Sequence, residues 1–297
     1  MEVVERIEEM TEISKRARLR VGTWGGGGKS VILIPTMGAL HEGHAALIEK
    51  ARSLAGASRQ VIVLSVFVNP KQFGVNEDLA DYPRTLEADK RIAKAAGVDI
   101  FFNPKAEDVY PEGFATKVDI DDSLSKRLCG RTRHGHFTGV ATIVTKLFNI
   151  IRPDKAVFGL KDYQQLLIIR RINEDLNLEV DIVGVETLRD PDGLAISSRN
   201  TYLSDKERRA ALVIPKVLDM AVQMFKESGG GGTLKAEAMK EKLLKTIEKE
   251  PLVVVEYIEL SAPLTLAPVE SVVSGTLLAI AVRVGKTRLI DNRILTC

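Results

Sequence analysis

The sequence predicts an α/β protein: a Rossmann-like parallel sheet flanked by helices, with a smaller C-terminal α+β domain. Three observations predict it. Five short apolar runs, VILIP (31–35), VIVLSVFV (61–68), VDIFF (98–102), KAVFG (155–159) and VDIVGV (180–185), are continuous rather than alternating, as strands buried on both faces require. Amphipathic stretches with apolar residues three or four apart separate most of them, the pattern of parallel strands joined by helical crossovers. After SSRNTYLS (197–204) the texture changes to two long amphipathic stretches and three β-rich runs.

Taken in order, MEVVERIEEMTEISKRARLR reads as a helix, because Val3, Ile7 and Met10 have helical spacing. Its mixed charges and lack of an apolar h-region argue against a signal peptide. VILIP is the first strand, and helices over 43–55, 84–96, 139–151 and 162–176 alternate with the remaining strands. We expect a nucleotide- and substrate-binding domain over 1–186 and a lid domain over 187–297. The second domain starts with helices over 204–227 and 234–249, the first opened by Ser204 and Glu207 in capping-box spacing. SGGGGT between them reads as a loop without regular structure. VVVEYIEL, TLLAIAVRV and TRLIDNRIL close the chain as strands, the last two joined at Gly285-Lys286 as a tight hairpin.

Of 297 residues, 45% are hydrophobic, and 42 Lys and Arg nearly cancel 40 Asp and Glu. Such a chain has no net field to draw it onto nucleic acid or an anionic membrane, so any anion must be gripped by placed groups. No apolar run approaches the ~20 residues needed to span a bilayer. Two cysteines, Cys129 and Cys297, have no metal-ligand spacing and suit a reducing compartment, so a cytoplasmic location is expected.

Two segments beside the first strand could grip a phosphate. GGGGKS (25–30) fails as a Walker loop: position 23 is Thr where glycine is required, and the segment precedes its strand instead of following it. HEGH (41–44) has the better address, after strand VILIP and turn TMGAL, at a helix start. There His41 and His44 share one face, and the dipole and unpaired N–H groups favour an anion. A second pair, His134 and His136, lies in RTRHGHFTG, and the chain has four histidines in all. Asn69, Lys71 and Gln72 follow the second strand, and Lys161, Asp162, Gln164 and Gln165 follow KAVFG, at the carboxyl edge where open α/β sheets bind ligands. The paired glutamines suit hydroxyls and a carboxylate of a small polar substrate. Ser197, Ser198 and Arg199 offer two hydroxyls and a guanidinium fit for a polyphosphate.

Together and in this order, PTMGALHEGH, SVFVNPKQF, DLADYPRT, VYPEGF, HFTGVATIVTKLFNIIRPDKAVFGLKDYQQL and DGLAISSRNTYLS resemble the pantothenate synthetase (pantoate–β-alanine ligase) family of the nucleotidyltransferase superfamily. The resemblance is dense over about 31–204. It implies an enzyme that joins pantoate to β-alanine through pantoyl adenylate, releasing pyrophosphate and AMP. His41, His44, Lys161, Ser197, Ser198 and Arg199 would form the catalytic set, the histidines holding ATP phosphates and the others neutralising them. Pro35, Thr36, Met37, Gly159, Asp162 and Ile196 would complete the ATP site, with Asp162 at the ribose and Ile196 standing where the family typically has Met. Met37, Gln72 and Gln165 would bind pantoate, and Asp89 would help to hold Mg²⁺. The family is usually homodimeric, and its partners would be small molecules only. Three rivals carry different expectations: a nucleotidylyltransferase without an amine site, a hydrolase with a metal on the four histidines, and a non-catalytic nucleotide sensor.

Overall fold

The computed structural model describes residues 1–19, 30–54, 60–74, 77–229 and 231–296. Most of GGGGKS therefore lies outside the described residues, as does Cys297. The chain runs β1 (Glu2–Val4), α1 (Ile7–Leu19), β2 (Ser30–Thr36), α2 (Glu42–Ser53), β3 (Gln60–Val66), α3 (Leu86–Ala95), β4 (Ile100–Phe102) and α4 (Ala106–Val109). It continues through α5 (Asp122–Ser125), α6 (His136–Ile151), β5 (Lys155–Gly159), α7 (Tyr163–Asp175) and β6 (Asp181–Val185). Then follow α8 (Asp205–Ala211), α9 (Val213–Glu227), β7 (Gly231–Lys235), α10 (Ala236–Ile247), β8 (Val253–Ser261), β9 (Ser271–Val273), β10 (Leu277–Val284) and β11 (Thr287–Ile294). Among the described residues no helix is long and apolar enough to cross a membrane.

The first unit comprises 1–121, 133–160 and 165–186. Its six strands are all parallel, in the order β1-β4-β3-β2-β5-β6. The apolar runs are continuous because both faces of this sheet are covered. Val31 and Leu33 pack in one core cluster, with Val140, Val144 and Leu147 of α6, while Ile32 and Ile34 pack in the other, with Ile48 and Ala51 of α2. Chain order reverses between β2 and β5, which makes the carboxyl ends of these neighbours the switch point where ligands of such sheets bind.

The second unit comprises 122–132, 161–164 and 187–297. A contiguous division at residue 186 thus misplaces two short segments, which pack with the later chain. This unit has an antiparallel sheet ordered β11-β10-β8, a two-stranded β7-β9 pair, and a core shared with α8, α9 and α10.

Three expectations need correction. Residues 2–4 are not helical but form an edge strand pairing with β4, and Val4 is fully buried there. The segment expected to be one helix over 204–227 breaks at Leu212, because Pro215 has no N–H to offer the Ala211 carbonyl and its ring would crowd that carbonyl. The glycine-rich SGGGGT is not wholly a loop, since Gly231–Lys235 pairs antiparallel with β9.

Candidate active site

β2 delivers the chain into a tight turn at the switch point. Gly38 has φ +82° and Ala39, a residue with a Cβ, has φ +51°, so this backbone is held against its local preference. Asp89 of α3 holds it. Its carboxylate is 2% exposed and accepts from Ala39 N (3.0 Å), Leu40 N (2.8 Å) and Thr85 Oγ1 (3.0 Å). Asp89, expected to help to hold Mg²⁺, thus has three acceptor positions of its carboxylate taken by two backbone amides and a hydroxyl. Among the described residues, no group of three or more His, Cys, Asp or Glu side chains is placed to hold a metal ion.

The turn ends at His41, the N-cap of α2. His41 Nδ1 accepts from Gly43 N (3.1 Å), and His44 Nδ1 accepts from His41 N (3.2 Å), a capping box built from two imidazoles. A backbone N–H can only donate, so both Nδ1 atoms must be unprotonated. Each ring is therefore assigned the neutral tautomer with its proton on Nε2. The ring centroids are 4.1 Å apart. Two Nε2–H donors at the positive end of a helix make a receptor for an anion.

Beyond β3, the 3₁₀ turn Pro70–Gln72 carries Gln72. Gln72 Nε2 donates to Met37 Sδ (2.9 Å), and Gln72 Oε1 accepts from Asn69 Nδ2 (3.0 Å). Asn69, 1% exposed, also donates to the Gly139 carbonyl and accepts from the Tyr110 hydroxyl. Met37 and Gln72, both expected to meet the organic substrate, thus touch each other. Gln165, on α7 in the same unit, is half-buried, and its side chain has no hydrogen-bond partner among the described residues. Its neighbour Gln164 does something else. Gln164 Nε2 donates to the Leu124 and Arg127 carbonyls (both 2.8 Å) and its Oε1 accepts from Cys129 N (3.0 Å), clipping 122–132 within the second unit. The second histidine pair also divides: His134 is exposed, whereas His136 is buried with both ring nitrogens engaged, by Arg133 and by the Gln72 carbonyl. This leaves it unable to ligate the metal that a hydrolase reading needs.

The second unit holds the other expected groups. Lys161 and Asp162 lie in a 3₁₀ turn directly after β5, and the Lys161 carbonyl accepts from Asn292 Nδ2 (2.9 Å). Ser197 caps the 3₁₀ turn Ser198–Tyr202 by accepting from Arg199 N (3.3 Å). Lys161, Ser197, Asn200 and Asp291 line a small cleft, and the Asn200 Oδ1 beside it is buried without a partner among the described residues. Asp291, 2% exposed, is paired with Arg189 through two bonds of 2.6 and 3.0 Å. Burial pulls the Lys161 ammonium below the ordinary lysine range, and Arg199 adds to this, against the opposing pull of Asp162 and Asp291. If the charged form works on phosphate, kcat/KM for ATP falls as pH rises through this depressed value. Lys161→Arg, charged at every accessible pH, should then move the alkaline limb upward in a pH profile.

Sequence reading left Asn69, Tyr110 and His136 outside the site set. The signal for Asn69 was available in NPKQF, where it caps the turn bearing Gln72. For His136 the signal was its pairing with His134, which did not tell which of the two is buried; for Tyr110 local pattern held no signal.

The sequence model described as "Pantoate-beta-alanine ligase" matches residues 2–294. The pantothenate synthetase of Geotalea uraniireducens (strain Rf4) is 48% identical over 295 residues, 99% of each chain, and that of Geobacter sulfurreducens is 44% identical over the same span. Among solved structures, the pantothenate synthetase of Thermus thermophilus matches with TM-score 0.87 and 40% identity over 100% of both chains. The pantoate-beta-alanine ligase of Francisella tularensis, complexed with beta-gamma ATP and beta-alanine, matches with TM-score 0.76 and 30% identity, covering 99% of this chain and 97% of that one. On sequence over nearly its whole length, and on fold, this chain belongs to the pantoate–β-alanine ligase family.

Proposed function

We propose that the chain condenses pantoate with β-alanine in two steps, through a pantoyl adenylate. It is a ligase by family, and ATP is its energy source. In the first step the pantoate carboxylate attacks the α-phosphorus of ATP and pyrophosphate leaves. In the second, the β-alanine amine attacks the acyl carbonyl and AMP leaves. The first step brings like charges together, so the protein's work is alignment and stabilisation of charge on the phosphoryl oxygens. The pair of Nε2–H donors at the start of α2 carries this reading.

His41 and His44 hold the phosphates, and Lys161, Ser197, Ser198 and Arg199 neutralise charge on them. Pro35, Thr36, Met37, Gly159 and Ile196 pack against the nucleotide, Asp162 meets the ribose, and Met37, Gln72 and Gln165 hold pantoate. No covalent nucleophile is required. Cys129, the one described cysteine, is buried against the Tyr257 hydroxyl. Mg²⁺ would enter with ATP and neutralise charge on its phosphates. A homodimer in the cytoplasm completes the proposal, the former to be checked by sedimentation.

Labelled pyrophosphate should exchange into ATP when pantoate and Mg²⁺ are present and β-alanine is absent. Exchange that does not need pantoate would sink the adenylate reading. Mass spectrometry of the full reaction should find AMP rather than ADP.

A further inference from the structure

Gln72 is held from two sides, and the second side has no role in the reading above. A chain of directional bonds reaches it from the turn that precedes α6. Arg133 grips Glu77 with Nε on Oε1 (2.8 Å) and Nη2 on Oε2 (2.6 Å). Its remaining arm, Nη1, lies 2.9 Å from His136 Nε2. His136 Nδ1 lies 2.8 Å from the Gln72 carbonyl. A guanidinium can only donate, so Nε2 accepts; a carbonyl can only accept, so Nδ1 carries the proton. One neutral tautomer satisfies both ends, and Glu77 fixes the guanidinium that selects it. Burial works against the Glu77 charge, yet the Arg133 hydrogen bonds and charge hold its carboxyl below the usual range.

The same helix meets Gln72 at a second point. Gly139 lies one turn beyond His136, and a side chain there would run into the Lys71 carbonyl and the Gln72 amide. The Pro70–Gln72 turn is therefore seated on α6 by a close backbone approach and by the imidazole. Asn69 and Met37 then orient the Gln72 amide.

We infer that His136, set by Arg133 and Glu77, is a positioning residue for Gln72 and thereby for the hydroxy-acid substrate. The inference rests on the reading of Gln72 as a pantoate ligand. His136 touches no reacting atom; it fixes the peptide from which the ligand's side chain springs.

Three variants test it: His136→Phe keeps the ring and removes the donor, His136→Asn keeps a non-titrating donor near Nδ1, and Glu77→Gln weakens the grip on Arg133. KM is measured separately for pantoate, ATP and β-alanine. His136→Phe should raise KM for pantoate about tenfold, the scale of one lost hydrogen bond, with KM for ATP and β-alanine within about twofold. His136→Asn should recover most of that loss, and Glu77→Gln should raise KM for pantoate about threefold. A merely structural role would lower the melting temperature and active fraction without this selectivity. An unchanged KM for pantoate in His136→Phe, an equal rise for all three substrates, or no recovery in His136→Asn overturns the inference. If His136→Phe does not fold, Glu77→Gln decides alone by the same selectivity. Pantoate-dependent pyrophosphate exchange in the unaltered protein keeps the two readings apart. Its absence removes the premise, whereas its presence beside a normal His136→Phe removes only the positioning role.

Discussion

His44→Ala should lower pantoate-dependent pyrophosphate exchange by a hundredfold to a thousandfold, the scale seen when one preorganised donor to a developing anion is removed, about 3 kcal/mol. His44 has two jobs, and they can be separated. Its Nδ1 accepts from the His41 amide and so closes the first turn of α2. Its Nε2–H is the donor assigned to phosphate. Alanine loses both, with about 1 kcal/mol of stability from the cap. His44→Asn keeps an acceptor for the His41 amide and has nothing at the Nε2 position. It should therefore melt close to the unaltered protein and remain as slow in exchange as His44→Ala. An asparagine variant that exchanges at normal rate would show that the ring serves α2 and not the nucleotide. In contrast, replacing Gly25 to Gly28 with Ser and Asn should change exchange little.

Asp89→Ala should cost about 3 kcal/mol in urea unfolding, because the buried Leu40 amide, the half-buried Ala39 amide and the Thr85 hydroxyl lose their acceptor together. The cost includes the left-handed backbone of Ala39, which the carboxylate holds in place. Asp89→Asn should recover less than half, since its NH₂ faces an amide N–H where an oxygen is needed. Exchange activity should fall with stability, as the turn connects Met37 to His41. A metal ligand would behave otherwise: Asp89→Ala would fold normally and need more Mg²⁺ for half-maximal rate. Denaturation midpoints and Mg²⁺ titrations on the same variants separate the two roles.

Much of the fold was legible because burial on both faces writes itself into consecutive residues, as at Val31 to Ile34, whose side chains alternate between two cores. β1 was not. It is three residues long, and Val3, Ile7 and Met10 imitate helical spacing across the boundary between a strand and a helix. β7 escaped for another reason: glycines carry no side-chain pattern, and its ladder is supplied by β9, about forty positions away. The break at Leu212 was readable in principle from Pro215, three residues after it.

At the candidate site, residue order determined what is local. HEGH after a strand determined a helix start, an N-cap histidine and a second histidine three positions on, so the pair's shared face follows from capping and periodicity, whereas its place at the switch point follows from the strand order. Adjacent or paired residues of the same type could not be told apart in that way. Gln164 and Gln165 differ by one helical step, which turns one toward the 122–132 segment and leaves the other without a partner among the described residues. His134 and His136 differ likewise, exposed against buried. Only the tertiary structure decided the work of Asp89, Gln164 and His136. Each acts on backbone groups far along the chain, Asp89 on amides 49 and 50 residues away, Gln164 on carbonyls 37 and 40 away, His136 on a carbonyl 64 away. A side chain's partner at that range is set by how the strands and helices pack, and the residues beside it in sequence carry no trace of it.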